Sequence, residues 1–324
     1  MSAFLCVMVK DNTTGKTYIA ADTCLSGNVT TAAGVHKIIW NIGAQGIPIN
    51  SNNASFSVMY CDEVYVVIDL SAGANATSYT SAYLYAIPSG GWTDAYKTSK
   101  LVLRRISPGS FKMGGAYNVT LTKSFCMGIF EVTQKQYQLV MGVNSTTSSG
   151  DKLPANVSYN TIRGSSNGAK WPTSSAVDSD SFVGKLRART GLNFELPTEA
   201  QWEYTCRAGS ATIYYWGDSM NGNYAWYYDN SSSQSQIVGT KTPNAWGLYD
   251  MSGNVLEWCL DWSGSLSSGM DPKGASSGSY RVARGGFWYS SATRCTSSYR
   301  EENYPPSWAA DSRIGFRLCL PLAE

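Results

Sequence analysis

Short runs of β-branched and aromatic residues dominate the first third of the chain. "KTYIAADT", "HKIIWNI", "ASFSVMYC" and "EVYVVIDL" are separated by clusters of Gly, Asn and Ser, the pattern of strands joined by turns. No helical period interrupts them. Residues 1–98 are therefore predicted to form a small all-β domain, with a sandwich as the expected packing. The polar, turn-rich stretch "PSGGWTDAYKTSK" marks the expected boundary.

From "LVLRRISPGSFKMGG" onward the pattern changes. A strand leads to "CMGIFEVTQKQYQLVMG", where Thr133 can cap a helix, Gln136 can close a capping box and Gly142 can end it. "LPTEAQWEYTCRAG" repeats this grammar with Thr198 as N-cap, Gln201 at the third helical position and Gly209 past the last turn. "DSFVGKLRART" predicts a third helix. Residues 210–324 read as loop and short strand. Loops of that length are uncommon unless they serve a function or are clamped, for example by a metal. The expected class is α+β, preceded by the all-β domain.

Residues 281–320, "RVARGGFWYSSATRCTSSYREENYPPSWAADSRIGFRLCL", have ordered ends and a middle without helical or strand period. Composition narrows what such a segment can do. The net charge is +2 with only 15% charged residues, so nothing electrostatic points to nucleic acid. Tyr (21) and Trp (11) are abundant, and both are favoured at binding surfaces. His36 is the only histidine, which removes HExxH zinc sites and most triad chemistry. The eight cysteines are scattered without a C-x-x-C pair, and buried free thiols are the expectation. No apolar run nears the roughly 20 residues that cross a bilayer. The opening "MSAFLCVMVKDNTTGK" lacks a basic leader and reads as a first strand, not as a signal peptide.

The strings "SPGSFKMGG", "FEVTQKQY", "LPTEAQWEYTCRAG", "NAWGLYDMSGNVLEWCLDW", "RVARGGFW" and "IGFRLCL" occur in this order across residues 101–320. Together they resemble the formylglycine-generating enzyme (sulfatase-modifying factor) family. That resemblance implies a variant of the C-type lectin fold over residues 99–324. It also implies a possible activity, the oxidation of a substrate cysteine by a copper-binding cysteine pair. The first member of the pair would fall at Ser290 and the second at Cys295, or Cys295 is a structural cysteine under an alternative alignment. One thiolate cannot make a two-thiolate copper site, so copper is not expected and this oxidase is the alternative reading.

The segment also resembles that of variable proteins of diversity-generating retroelements, which place hypervariable positions between Gly-Gly-x-Trp and the closing Gly-Phe-Arg. Here that is about residues 285–313, with Arg284, Gly285, Gly286 and Trp288 on one side and Ile314 to Arg317 on the other as scaffold. Adenine changes in AAC codons reach Phe287, Tyr289, Ser290, Ser291, Arg294, Tyr299, Tyr304 and Asp311. Glu301, Glu302 and Trp308 are not reachable that way. The resemblance implies that these eight, with Trp308, contact a macromolecular ligand, a protein above all. Rigid aromatics and adaptable serines suit such a role. An ordinary solvated loop is the plain alternative. The same likeness suggests assembly, for instance as a homo-oligomer, or attachment through the N-terminal region, and display on a cell or phage surface.

"GLYDMSGNVLEW" offers hard oxygen donors of the kind calcium prefers. The family's structural calcium implies Asp250, Gly253, Val255 and Glu257 as its holders here, with Leu256 where a Trp is usual. The alternative for Glu257 is an ion pair. The family's other calcium site, near "GNYAW", lacks its acidic residue in "SSSQSQIVG". No Glu-Pro-Asn or Gln-Pro-Asp loop supports sugar binding, and the eight N-x-S/T sequons are expected by chance from the Asn, Ser and Thr content.

Overall fold

The computed structural model describes residues 64–145, 150–308 and 312–322, together with the course of five N-terminal strands. Those strands are β1 (Phe4–Asp11), β2 (Thr17–Ile19), β3 (Leu25–Gly27), β4 (Ile38–Trp40) and β5 (Ala54–Cys61). β1 is the centre of an antiparallel sheet, flanked by β2 and by β5 over its whole length from Phe4↔Cys61 to Asp11↔Ala54. β3 and β4 form a separate antiparallel pair. The elements described in this region are all strands, the type the sequence pattern predicts.

The division between the two compact units falls at Val64/Tyr65 and not near residue 98. The strand read from "EVYVVIDL", β6 (Tyr65–Asp69), pairs with β7 (Thr80–Leu84) and with β8 (Lys100–Ile106). Five consecutive residues of β6 are in register with β8, from Tyr65↔Arg104 to Asp69↔Lys100. The first third therefore donates two strands to the second unit. A strand's alternation shows that it pairs but not with whom, which is why the boundary moves.

The second unit continues with β9 (Gly109–Met113), β10 (Tyr117–Leu121), β11 (Phe125–Gly128) and helices α1 (Gln134–Met141), α2 (Tyr159–Arg163), α3 (Phe182–Thr190) and α4 (Glu199–Arg207). It closes with β12 (Leu256–Trp262), β13 (Gly269–Met270), β14 (Arg281–Arg284), β15 (Arg300–Tyr304), β16 (Ile314–Gly315) and β17 (Cys319–Pro321). One sheet has the order β17-β11-β8-β6-β7, a second β15-β14-β12-β16, and a small third β13-β10-β9. Both capping boxes form. The Thr133 hydroxyl accepts from Gln136 N–H while the Gln136 amide oxygen accepts from Thr133 N–H, and Thr198 and Gln201 do the same for α4. Gly142 is left-handed at φ 83° and ends α1; α4 turns left-handed already at Ala208, one residue before Gly209. α3 starts at Ser181, whose hydroxyl accepts from Gly184 N–H. The short α2 has no counterpart in the sequence reading.

α1, α2 and α3 pack their apolar sides, including Tyr137, Val140, Ile162, Phe182 and Leu186, into a core shared with Val66, Ile68, Leu101, Trp258 and Phe316. The second sheet matters most for function. β14 leads into the framed segment, β15 lies inside it, and β16 receives the chain where it ends. The "patternless" middle thus contains a strand, whose side chains Arg300 to Tyr304 carry no apolar alternation because neither face is fully buried.

Candidate functional site

Arg284, at the end of β14, is fully buried and ties down the returning chain. Its guanidinium donates to the main-chain carbonyls of Ser297, Ser298 and Tyr299 and pairs with Glu203. Gly285 and Gly286 follow at φ 96° and 75°. A Cβ on Gly286 would lie 2.6 Å from the Arg294 carbonyl oxygen, so glycine is required where the two arms of the loop touch.

The loop between these arms is held chiefly by its backbone. Trp288 N–H donates to the Asn254 carbonyl (2.8 Å) and Tyr228 N–H to the Ser290 carbonyl (3.0 Å). The Ser231 hydroxyl donates to the Trp288 carbonyl (2.7 Å), and the Tyr214 hydroxyl to the Ala292 carbonyl (3.0 Å). Ser297 N–H donates to the Ile213 carbonyl (3.0 Å). Backbone polar groups away from water must be paired. These five bonds are made by groups that do not depend on which side chains the loop carries.

The predicted contact residues divide by exposure. Tyr289 is 53% exposed, and Ser291 and Arg294 are exposed beside it. Tyr299 is half-buried, its hydroxyl donating to Glu301 (3.0 Å), with Arg294 over its ring at 5.9 Å. Tyr304 is half-buried against Trp258 and meets the exposed Trp308, ring centroids 5.1 Å apart. Asp311 lies outside the described residues. Two expectations are corrected. Phe287 is buried and belongs to the main core. Ser290 is buried, and its hydroxyl accepts from Phe287 N–H (3.0 Å) to close a tight turn. Neither can reach a partner on the surface, because the turn after Gly286 directs both inward.

Thr293 and Tyr228 are exposed members of the same neighbourhood that the sequence reading does not single out. Thr293 sits inside the framed segment and hydrogen-bonds Ser291 (3.0 Å). Tyr228 comes from a distant loop, and its ring stands edge-on to Tyr289 at 5.0 Å. The exposed groups form an open face. A cavity of about 580 Å³ elsewhere in the unit is lined by Trp171, Arg187, Glu195 and others, and by no residue of 285–313.

At the proposed calcium turn, Asp250 is buried at φ 55° and accepts from Gly239 N–H (2.6 Å). Glu131, absent from the sequence-read set, accepts from Asn254 and from Val255 N–H. Burial raises Asp250 to about 6, and burial with the charges of Asp250 and Glu257 raises Glu131 well above the carboxylate range. Clustered hard oxygens of this kind suit a calcium ion. Glu257, however, is already engaged: Arg317 grips both of its oxygens (2.6 and 2.5 Å) and the Trp202 indole donates a third bond (2.7 Å). Among the described residues no three His, Cys, Asp or Glu side chains converge as a metal-holding group. Of the four residues the resemblance implies, Glu257 is committed to Arg317, and calcium there would have to be held through Asp250 and the carbonyls of Gly253 and Val255.

A model of the sulfatase-modifying factor enzyme 1-like domain matches residues 94–321. The chain belongs to this family. Within it the fold is the C-type lectin-like type, with few helices and short sheets, as the motif strings imply. Treponema denticola variable protein 1 superposes with a TM-score of 0.57 at 26% identity, over 69% of this chain and 96% of that one. PvdO from Pseudomonas aeruginosa gives 0.56 at 25% identity, over 68% and 94%. In sequence, the chaperone protein LppX of Paenibacillus barcinonensis is 29% identical over 73% of this chain and 89% of its own. The formylglycine-generating enzyme of Mus musculus is 34% identical over 40% of each chain. The chain is thus similar both to formylglycine-generating enzymes and to a variable protein.

Cys295 can be judged against the enzymatic branch. It is a fully buried free thiol, and burial pushes it up to about 12. Reactive cysteines and soft-metal ligands act as thiolates, which this environment disfavours. The group at the other expected copper position is the Ser290 hydroxyl, engaged in its turn. One buried thiol and one hydroxyl do not fit a two-thiolate copper site.

No helix among the described residues is long and apolar enough to cross a membrane.

Proposed function

We propose that this protein is a non-catalytic binder whose framed segment, about 285–313, is diversified by a retroelement and recognises a macromolecular ligand, a protein above all. The observation that carries this reading is the division of labour in the loop. The scaffold grips main-chain carbonyls and N–H groups, while Tyr289, Ser291, Thr293 and Arg294 project outward. Those four side chains can then change without loss of these scaffold hydrogen bonds. The likeness to a variable protein supports it. Tyr299, Tyr304 and Trp308 extend the face, and Phe287 and Ser290 belong to its foundation.

Calcium at the Asp250 turn has a structural role in this reading, holding the chain between Gly239 and Val255 in the shape that Trp288 leans on.

The deciding experiment is to sequence the DNA around the gene. A near-identical second copy of the segment encoding 281–317, with adenines where the gene differs, beside a reverse transcriptase, is the expected result. Substitutions mapping to Tyr289, Ser291, Thr293 and Arg294 but sparing Ser290 would match the exposure pattern. If no copy exists, the alternative is a thiol-dependent oxidase, and Cys295→Ser then becomes the discriminating variant. It abolishes turnover of a cysteine-containing peptide if that alternative holds, and alters only packing if the protein is a binder.

A further inference from the structure

We propose that Tyr228 and Ile213, which lie outside the diversified segment, are constant members of the binding face, and that the face takes a folded protein through a patch of apolar and hydroxyl side chains with few cations. This rests on the binder reading above and extends it to residues that diversification does not touch.

Both residues are exposed although large and apolar: Tyr228 by 56% and Ile213 by 51%. Their positions are set by the same hydrogen bonds that hold the loop. Tyr228 N–H bonds the Ser290 carbonyl, which places the Tyr228 ring edge-on to Tyr289 at 5.0 Å. The Ile213 carbonyl accepts from Ser297 N–H, and the neighbouring Tyr214 hydroxyl reaches the Ala292 carbonyl. Tyr228 is thus fixed beside Tyr289, and Ile213 beside the arm of the loop that follows Arg294. The backbone bonds keep this arrangement whatever the variable side chains become.

Such a design has a physical purpose. A face whose every residue is randomised must find all its binding energy anew in each variant. Fixed apolar side chains at the edge supply buried area and exclude water around a variable centre, the arrangement that lets central contacts count. The occupant follows from charge. Arg294 is an exposed cation of the patch, its guanidinium 3.9 Å from Glu301; exposed Asp218 accepts from Ile213 N–H, exposed Asp229 follows Tyr228, and the other side chains are aromatic, aliphatic or hydroxyl. Single-stranded nucleic acid needs a row of cations along its backbone, which this patch lacks. A protein surface is what tyrosine, isoleucine and serine fit together, with carboxylates at the edge that disfavour a polyanion.

The test displays the full chain with positions 289, 291, 293 and 294 randomised and selects it against two unrelated soluble proteins, lysozyme and maltose-binding protein. Binders are then compared with and without Tyr228→Ala and Ile213→Ala, with Tyr228→Phe as a conservative variant and the exposed Met270→Ala as a control outside the face. The expected result is a loss of about tenfold or more in affinity for most clones with either alanine, whatever the target. Tyr228→Phe and Met270→Ala should stay near the parent, and melting temperatures should be unchanged. Affinities within about twofold across the alanine variants overturn the proposal while leaving the binder reading intact. A library that yields no protein binders, or binds oligo-dT instead, overturns both.

Discussion

Phe287 and Tyr289 stand two positions apart, and the turn sends one into the core and the other into water. Phe287→Ala should cost about 3–5 kcal/mol, the range for removing a buried aromatic ring. Tyr289→Ala should stay within about 0.5 kcal/mol, as for a surface site. Denaturant unfolding of both variants checks the contrast; equal costs would mean that the turn is wrongly oriented. Asp261 is a second single-residue case. Burial, aided by nearby Glu199, raises its carboxyl to about 8, although it accepts from Glu199 N–H at 2.8 Å. The folded state holds a proton that the unfolded chain releases near pH 4. Its contribution is therefore full below about pH 4 and is lost as the pH rises toward about 8. Asp261→Asn, which keeps the acceptor and cannot ionise, should remove that decline. Unfolding free energies of both proteins across this window test it, and parallel pH profiles would refute it.

Among the elements, the turn from Asp250 to Glu257 and the strand that follows it join two jobs. Glu257 and Arg317 bind β12 to the chain just past β16 through a fully buried bidentate pair. Upstream, buried Asp250 accepts from Gly239 N–H. If calcium sits there, a chelator should lower the melting temperature and added calcium should restore it. Saturation at about a hundred times Kd would contribute about 2.7 kcal/mol. Asp250→Ala should abolish the calcium response while leaving the Glu257–Arg317 pair in place. A melting curve indifferent to calcium in the parent protein removes the metal from the account. β15 is the other element that carries weight. Its pairing with β14 and the ion pair from Arg300 to Glu199 fasten the far arm of the loop to α4. The loop consequently has two anchored arms and one open crest.

For the molecule as a whole, the partition of the chain is the testable quantity. Residues 65–322 contain every strand of the five-stranded sheet. A fragment of that span should unfold cooperatively. A fragment starting at residue 99 loses β6 and β7, bares the edge of β8, and removes Val66, Ile68 and Leu70 from the core. It should aggregate or fail to melt cooperatively, since an exposed hydrophobic strand edge invites pairing with other chains. Calorimetry of the two fragments decides, and equal cooperativity would restore the boundary at 98.

Much of this was legible because some interactions close within a few residues. A capping box needs only Thr133 and Gln136, or Thr198 and Gln201, and the helix ends appear where those letters stand. The motif strings likewise announce the family, and the ordered ends of residues 281–320 announce a framed loop. What the letters did not determine is every choice between distant partners. β6 could have paired within the N-terminal region, and only the assembled sheet gives it β8. Glu257 could have served a metal, but Arg317, sixty residues away, takes both its oxygens. Ser290 and Phe287 read as surface residues because their neighbours do, and the two left-handed glycines before them reverse that. Tyr228 carries no signal at all in its own stretch; its role comes from the Ser290 carbonyl that happens to lie above it. Local hydrogen bonds and periodicity are properties of the sequence, whereas burial and long-range pairing belong to the folded chain, which alone decides which groups compete for the same partner.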